Sequence, residues 1–98
     1  MTRPVVFRPQ AEHELLEAER WYEWRRPGLG RQFRSAIDDT MTRVGDQPFS
    51  FPLVHGEKRR ALVPRFPYAL YFAIAGDQVV IVGVVHGHRD PAVWQSRR

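Results

Sequence analysis

Near the carboxyl end the chain reads VVIVGVVHGHRDP, an apolar run from Val79 that empties into His86, Gly87, His88, Arg89 and Asp90. Imidazole changes charge near neutral pH, and guanidinium grips carboxylate or phosphate with paired hydrogen bonds. Residues two apart on a strand share a side, so His86 and His88 are expected to point the same way. Metal binding, acid–base catalysis and a basic recognition edge are the three chemistries to weigh. A metal site needs at least three well-placed ligands, and His-x-His supplies two. His13 falls in a helical stretch, His55 in a loop, and Asp90 follows the strand, so no spacing joins a third ligand to the pair. No metal and no cofactor are expected. The same residues also have a structural account: Gly87 frees the backbone where the strand must end, and Asp90-Pro91 starts a turn.

Other cations sit upstream. Lys58, Arg59 and Arg60 open a strand-like stretch, and Arg65 lies in the bend after it. With Arg89 they form a candidate contact set for nucleic acid or a protein target. Charges at the start of an edge strand also guard it against aggregation. Other chemistries find no support. There is no Cys. Ser35, Ser50 and Ser96 lie in no nucleophile elbow. The segment PGLGRQF around Gly28 and Gly30 lacks the Lys-Ser/Thr pair of a phosphate loop.

The elements that position these groups follow from period and punctuation. Val5-Val6-Phe7 between Pro4 and Pro9 reads as a brief strand. From Pro9, placed where a helix tolerates it, Ala11, Leu15, Ala18 and Tyr22 recur at helical spacing. Pro27-Gly28 stops that helix. Leu29, Phe33, Ile37, Met41 and Val44 mark a second, ended by Gly45-Asp46 and Pro48. The aromatics of the first helix, Trp21, Tyr22 and Trp24, are read first as core. Residues 47–55 read as loop. Lys58–Val63, Tyr68–Ile74 and Val79–Val85 read as strands, closely linked and therefore antiparallel. The expectation is an α+β, two-layer β-α-α-β-β-β domain: a helical hairpin packed on a small, mainly antiparallel sheet.

A chain of 98 residues is expected to form one domain over residues 1–98. Its hydrophobic content of 43% and charged content of 27% are ordinary for a globular fold. No apolar run nears the ~18 residues that span a membrane, and the opening MTRPVVFRPQ lacks the apolar centre of a signal peptide. With no Cys, a cytoplasmic setting is expected. The net charge of +4 is uneven: eight Arg balance eight carboxylates through residue 49, and seven cations face three carboxylates from residue 50 on. The basic half points to an acidic partner.

Two stretches carry a family resemblance: RFPYALYF at Arg65–Phe72 and VVIVGVVHGHRDPAVW at Val79–Trp94. With VVFRPQAEHELLEAERWYEW at the amino end, the chain resembles the RelE/ParE superfamily of type II toxin–antitoxin toxins over roughly residues 4–94. That resemblance implies a cognate antitoxin protein as partner in a hetero-oligomer, and no membrane. It also implies one of two targets. RelE-like members cleave messenger RNA on the ribosome. ParE-like members inhibit DNA gyrase, with no nuclease chemistry.

RelE-like nucleases use an Arg near the start of the third strand, an Arg just after the fourth, and a nearby C-terminal Tyr. The matching position in PYALYF holds Ala69, and the C-terminal aromatic is Trp94, whose indole N–H exchanges no proton at useful pH. Only Arg89, or His88 with a one-residue shift, matches the post-strand group. The ParE-like branch is therefore favoured, acting by binding. The alternative is a ribosome-dependent mRNA endonuclease built from His86, His88 and Arg89, with Lys58, Arg59 and Arg60 on the phosphate. A third expectation is a non-toxic, antitoxin-binding paralogue. For the antitoxin, a disordered acidic–apolar segment is expected to fold onto the open sheet face and the helical hairpin, with Trp21, Tyr22, Phe33 and Ile37 as the contact residues.

Overall fold

A computed structural model describes residues 2–98. β1 (Val5–Phe7) leads into α1 (Pro9–Arg25) and α2 (Leu29–Asp46). A single 3-10 turn at Pro48–Ser50 precedes β2 (Leu53–His55), β3 (Lys58–Leu62), β4 (Tyr68–Ala75) and β5 (Gln78–His86), and a short α3 (Ala92–Gln95) follows. The strands make one sheet in the order β1-β5-β4-β3-β2. β1 runs parallel to β5, and all other neighbours are antiparallel. The helical hairpin covers one face, so the α+β two-layer architecture stands, with one strand added at the edge. That strand, β2, lies in the stretch expected as loop. It has three residues and an irregular register against β3, too little to leave a period of two in the sequence.

Each helix forms for a local reason. Pro9 takes the first position of α1, where its missing N–H costs nothing. Ala11, Leu15, Ala18 and Tyr22 then bury one stripe. Arg26 turns extended ahead of Pro27, which disfavours the helical region for the residue before it. Gly28 sits at φ 89°, a left-handed conformation that suits glycine. Leu29 and Gly30 form the first turn of α2. The cap of α2 comes from α1: the Glu23 carboxylate accepts the Gly28 N–H at 2.9 Å and the Gly30 N–H at 3.1 Å. It satisfies N–H groups that a helix start otherwise leaves unpaired.

The main core lies between the hairpin and the sheet. Phe33, Ile37, Leu70, Phe72, Val79 and Ile81 are fully buried there, each worth about 1.5–3 kcal/mol relative to exposure. A second, smaller cluster lies on the opposite face, where Trp94 covers Ala69, Tyr71, Val80, Val82 and Val85. Trp94 thus packs on the open face of the sheet, stacked on Tyr71 with ring centroids 3.9 Å apart and planes 16° from parallel.

Candidate functional site

A β-bulge decides where the histidines go. β4 and β5 pair regularly from their tight turn as far as Phe72 with Ile81, and the next pair is Tyr71 with Gly83. Val82 is the extra residue, and past it every side chain changes face. His86 therefore pairs with Tyr68 and turns toward α1, while His88 lies in the turn beyond and faces the open side. The two imidazoles do not share a face as the spacing of two predicts. They remain neighbours: their centroids are 5.2 Å apart, and the His88 N–H donates to His86 Nδ1 at 3.1 Å. That bond leaves the hydrogen of a neutral His86 ring on Nε2. Gly87 is not among the residues with positive φ, and a Cβ there would meet Pro67 O at an ordinary 3.6 Å. Glycine is thus not demanded at the strand exit.

On the helix side, a groove of about 530 Å³ runs between α1 and the end of β5. Glu14, Glu17, Trp21 and Tyr22 form one wall, and Tyr68, Val84, His86 and Arg89 the other. Tyr68 is its centre. Its ring packs edge-on against His86 at 5.3 Å and against Phe33 at 5.3 Å. Burial pushes the Tyr68 phenol above its ordinary pKa, the Arg89 charge pulls it back in part, and Glu14 adds to the rise. Tyr22 is pushed up too, by burial first and then by Tyr68. A protonated phenol, a guanidinium and an imidazole on an apolar floor can hold a carboxylate or a carbonyl.

On the open side, a hollow of about 460 Å³ lies over β3 and β4, lined by Arg60, Leu62, Tyr71 and His88 among others. The strand period splits the expected basic row. Arg60 and Lys58 face this side and Arg59 the helix side, since Arg60 pairs with Tyr71 and Arg59 with Phe72. Lys58 is not free for phosphate: its Nζ donates to the Gln95 carbonyl at 3.1 Å and pins α3 over the sheet. Arg59 Nη1 donates to the Phe51 carbonyl at 2.7 Å. His86, His88, Arg89, Lys58, Arg59 and Arg60 are therefore not assembled into one catalytic cluster. Among the described residues, no group of three His, Cys, Asp or Glu side chains could hold a metal ion.

The remaining expected contacts divide by burial. Arg65 is exposed in the bend before β4, held at φ 68°. Trp21 is half exposed and Tyr22 borders the groove, so both can meet a partner. Phe33 and Ile37 cannot. Both are fully buried under the hairpin, because the helix stripe expected to serve as contact surface is the one that faces the sheet. Two groove residues went unmarked in the sequence: Tyr68, which reads as an ordinary strand aromatic, and Glu14, one of several acids on α1. Their pairing with His86 and Arg97 depends on the bulge and on the C-terminal fold-back.

Comparison with known proteins agrees with this architecture. The solved structure described as "Chromosomal ParDE TA system from P. aeruginosa" is similar in fold, with a TM-score of 0.76 at 13% identity, covering 87% of this chain and 96% of that one. Among curated proteins no sequence matches significantly. The family model described as "ParE toxin of type II toxin-antitoxin system, parDE" matches residues 5–91. The chain belongs to the ParE toxin family of type II toxin–antitoxin systems.

Proposed function

We propose that this protein is the toxin of a type II pair, that it inhibits DNA gyrase by binding without chemistry, and that a cognate antitoxin neutralises it. The observation that carries this reading is the state of the open sheet face. Ala69 stands where a RelE-like nuclease has Arg, Lys58 is tied to the Gln95 carbonyl, and the Trp94 indole is buried on Tyr71. A nuclease needs a group to activate the 2′-hydroxyl and a donor to the leaving oxygen. The antitoxin contact falls on the α1–β5 groove, where half-exposed Trp21 and the Arg89 charge suit an acidic–apolar segment that orders on binding. Purified gyrase is the test. Supercoiling is expected to fail when the toxin is added and to recover with antitoxin. Supercoiling untouched at high toxin excess would refute the proposal.

One observation favours a second reading. Arg60 and His88 border the same hollow, so a phosphate donor and a titratable ring do lie close together. Transcripts cut in a translation extract by the wild type, and spared by His88→Ala, would establish an endonuclease instead.

A further inference from the structure

Away from both hollows, three guanidinium groups gather at the end of α2. Arg3 is brought there by a backbone bond from its N–H to the Gly45 carbonyl. Its Cζ lies 5.3 Å from the centroid of the Phe49 ring, and the Cζ of Arg59 lies 5.2 Å from the same centroid. Arg43, one turn back in α2, lies over Phe51 at 5.8 Å. Phe49 itself is 62% exposed. A hollow of about 500 Å³ opens beside Arg43, Asp46 and Phe51.

None of the three guanidiniums forms an ion pair among the described residues, where the salt bridges are held by His13, Arg34 and Arg97. Arg3 Nε is buried and has no hydrogen-bond partner. The partial negative charge at the end of α2 accounts for one cation placed here. It does not account for three, none of them paired with a carboxylate among the described residues. Each guanidinium carries five donors, so Arg59 keeps charge and N–H groups in reserve after bonding the Phe51 carbonyl. One acid borders the hollow: Asp46, whose carboxylate accepts the Thr2 hydroxyl.

We infer that Arg3 and Arg59 over Phe49, with Arg43 over neighbouring Phe51, form a phosphate-gripping corner that seats on the backbone of duplex DNA. Arg matches phosphate geometry with paired donors. Binding to single strands rests on aromatic faces that stack with bases, and guanidiniums already lie over the Phe49 ring. Backbone contact without base stacking is the duplex mode. The corner is independent of the gyrase reading, since it requires only the free chain and DNA.

The test uses the intact chain and a short fluorescent duplex of arbitrary sequence, followed by anisotropy from about 50 to 200 mM salt. The expected slope of log K on log salt is about −2 to −3, near −0.9 for each phosphate gripped. Arg43→Ala is expected to flatten that slope by about one and weaken binding severalfold at low salt. Asp46→Asn removes the opposing charge and is expected to tighten binding, a gain that misfolding cannot imitate. Arg31→Ala, on the outer hairpin, is expected to change neither. No binding at low salt, or a slope unmoved by Arg43→Ala, would overturn the inference. So would tighter binding to a single strand, lost on Phe49→Ala, or equal binding to a glutamate-rich peptide.

Discussion

Glu14 and Arg97, separated by 83 positions in the chain, meet as a two-point ion pair with contacts of 2.8 and 2.9 Å. The same guanidinium donates to the Val82 carbonyl at 3.1 Å, and the same carboxylate accepts the Val84 N–H at 3.0 Å. β1 pairs only with Val79–Ile81, so beyond Ile81 this edge of β5 has no strand beside it among the described residues. Two side chains take the place of the missing ladder, and they tie the C-terminal tail to α1 in doing so.

The first prediction tests that clamp. The pair is mostly buried, with side-chain exposures of 11% and 19%. Removing one member leaves the other charge with little solvent, at a cost of roughly 2–4 kcal/mol. Arg97→Ala is expected to lower the unfolding free energy by that amount, read from urea melts. Glu14→Gln alone and in combination completes a double-mutant cycle. A coupling near zero would mean that the pair adds nothing to stability.

A contrast between tryptophans tests burial against display. Trp94 is 5% exposed and stacked on Tyr71, whereas Trp24 is 81% exposed. Trp94→Ala is expected to cost about 3–5 kcal/mol, and Trp24→Ala within about 0.5 kcal/mol of nothing. Thermal melts of both variants check the difference. Equal losses would contradict the packing on the open face.

The hairpin rests on a close approach at Gly30. A Cβ there would lie 2.7 Å from the Glu19 carbonyl oxygen and 2.9 Å from Glu23 Cβ. The first contact is with backbone and cannot swing away. Gly30→Ala is expected to destabilise by about 1–3 kcal/mol, despite the better helix propensity of Ala. A melting temperature that rises would show that the helices can part without loss.

At Arg65 the strain is in the backbone. Its φ of 68° is unusual for a side chain that is not Gly, Asn or Asp, and the left-handed region costs about 1–2 kcal/mol. Arg65→Gly is expected to be more stable than Arg65→Ala by about 1 kcal/mol, as read from denaturant melts. Both lose the guanidinium, so equal loss in the two of the gyrase inhibition proposed above would assign the loss to the charge and not to the loop.

Alkaline pH gives a fifth outcome. The folded pKa values of Tyr22 and Tyr68 are raised by burial above the ordinary value near 10. Both phenols stay protonated in the folded chain after those of the unfolded chain ionise. Stability is therefore full below about pH 10 and falls as pH climbs beyond it. Melting temperature against pH is expected to bend down there, and less so in Tyr68→Phe. A curve unchanged by the substitution would remove Tyr68 as a cause.

The helices and the two long strands were legible because their signals are local. Pro9, Pro27-Gly28 and the stripe from Leu29 to Val44 act over a turn or two, and the apolar runs of β4 and β5, rich in β-branched and aromatic residues and bounded by turns, are long enough to register. The three-residue β2 has no such repetition. The family likeness in RFPYALYF and HGHRDP was legible for the same reason, being carried by short contiguous strings.

The site was legible only in its residue types. The sequence determined that His86, His88 and Arg89 would crowd the end of the last strand, and that the net positive charge would sit in the second half of the chain. Only the tertiary structure decided which way they face. One extra residue at Val82 turns His86 onto the helix side, because a strand changes face at every residue and a bulge shifts the count by one. The pairing of Glu14 with Arg97, and the gathering of Arg3, Arg43 and Arg59 over Phe49 and Phe51, join residues far apart in the chain. No local pattern encodes such contacts. They arise when the tail folds back across the sheet and when β1 passes the end of α2.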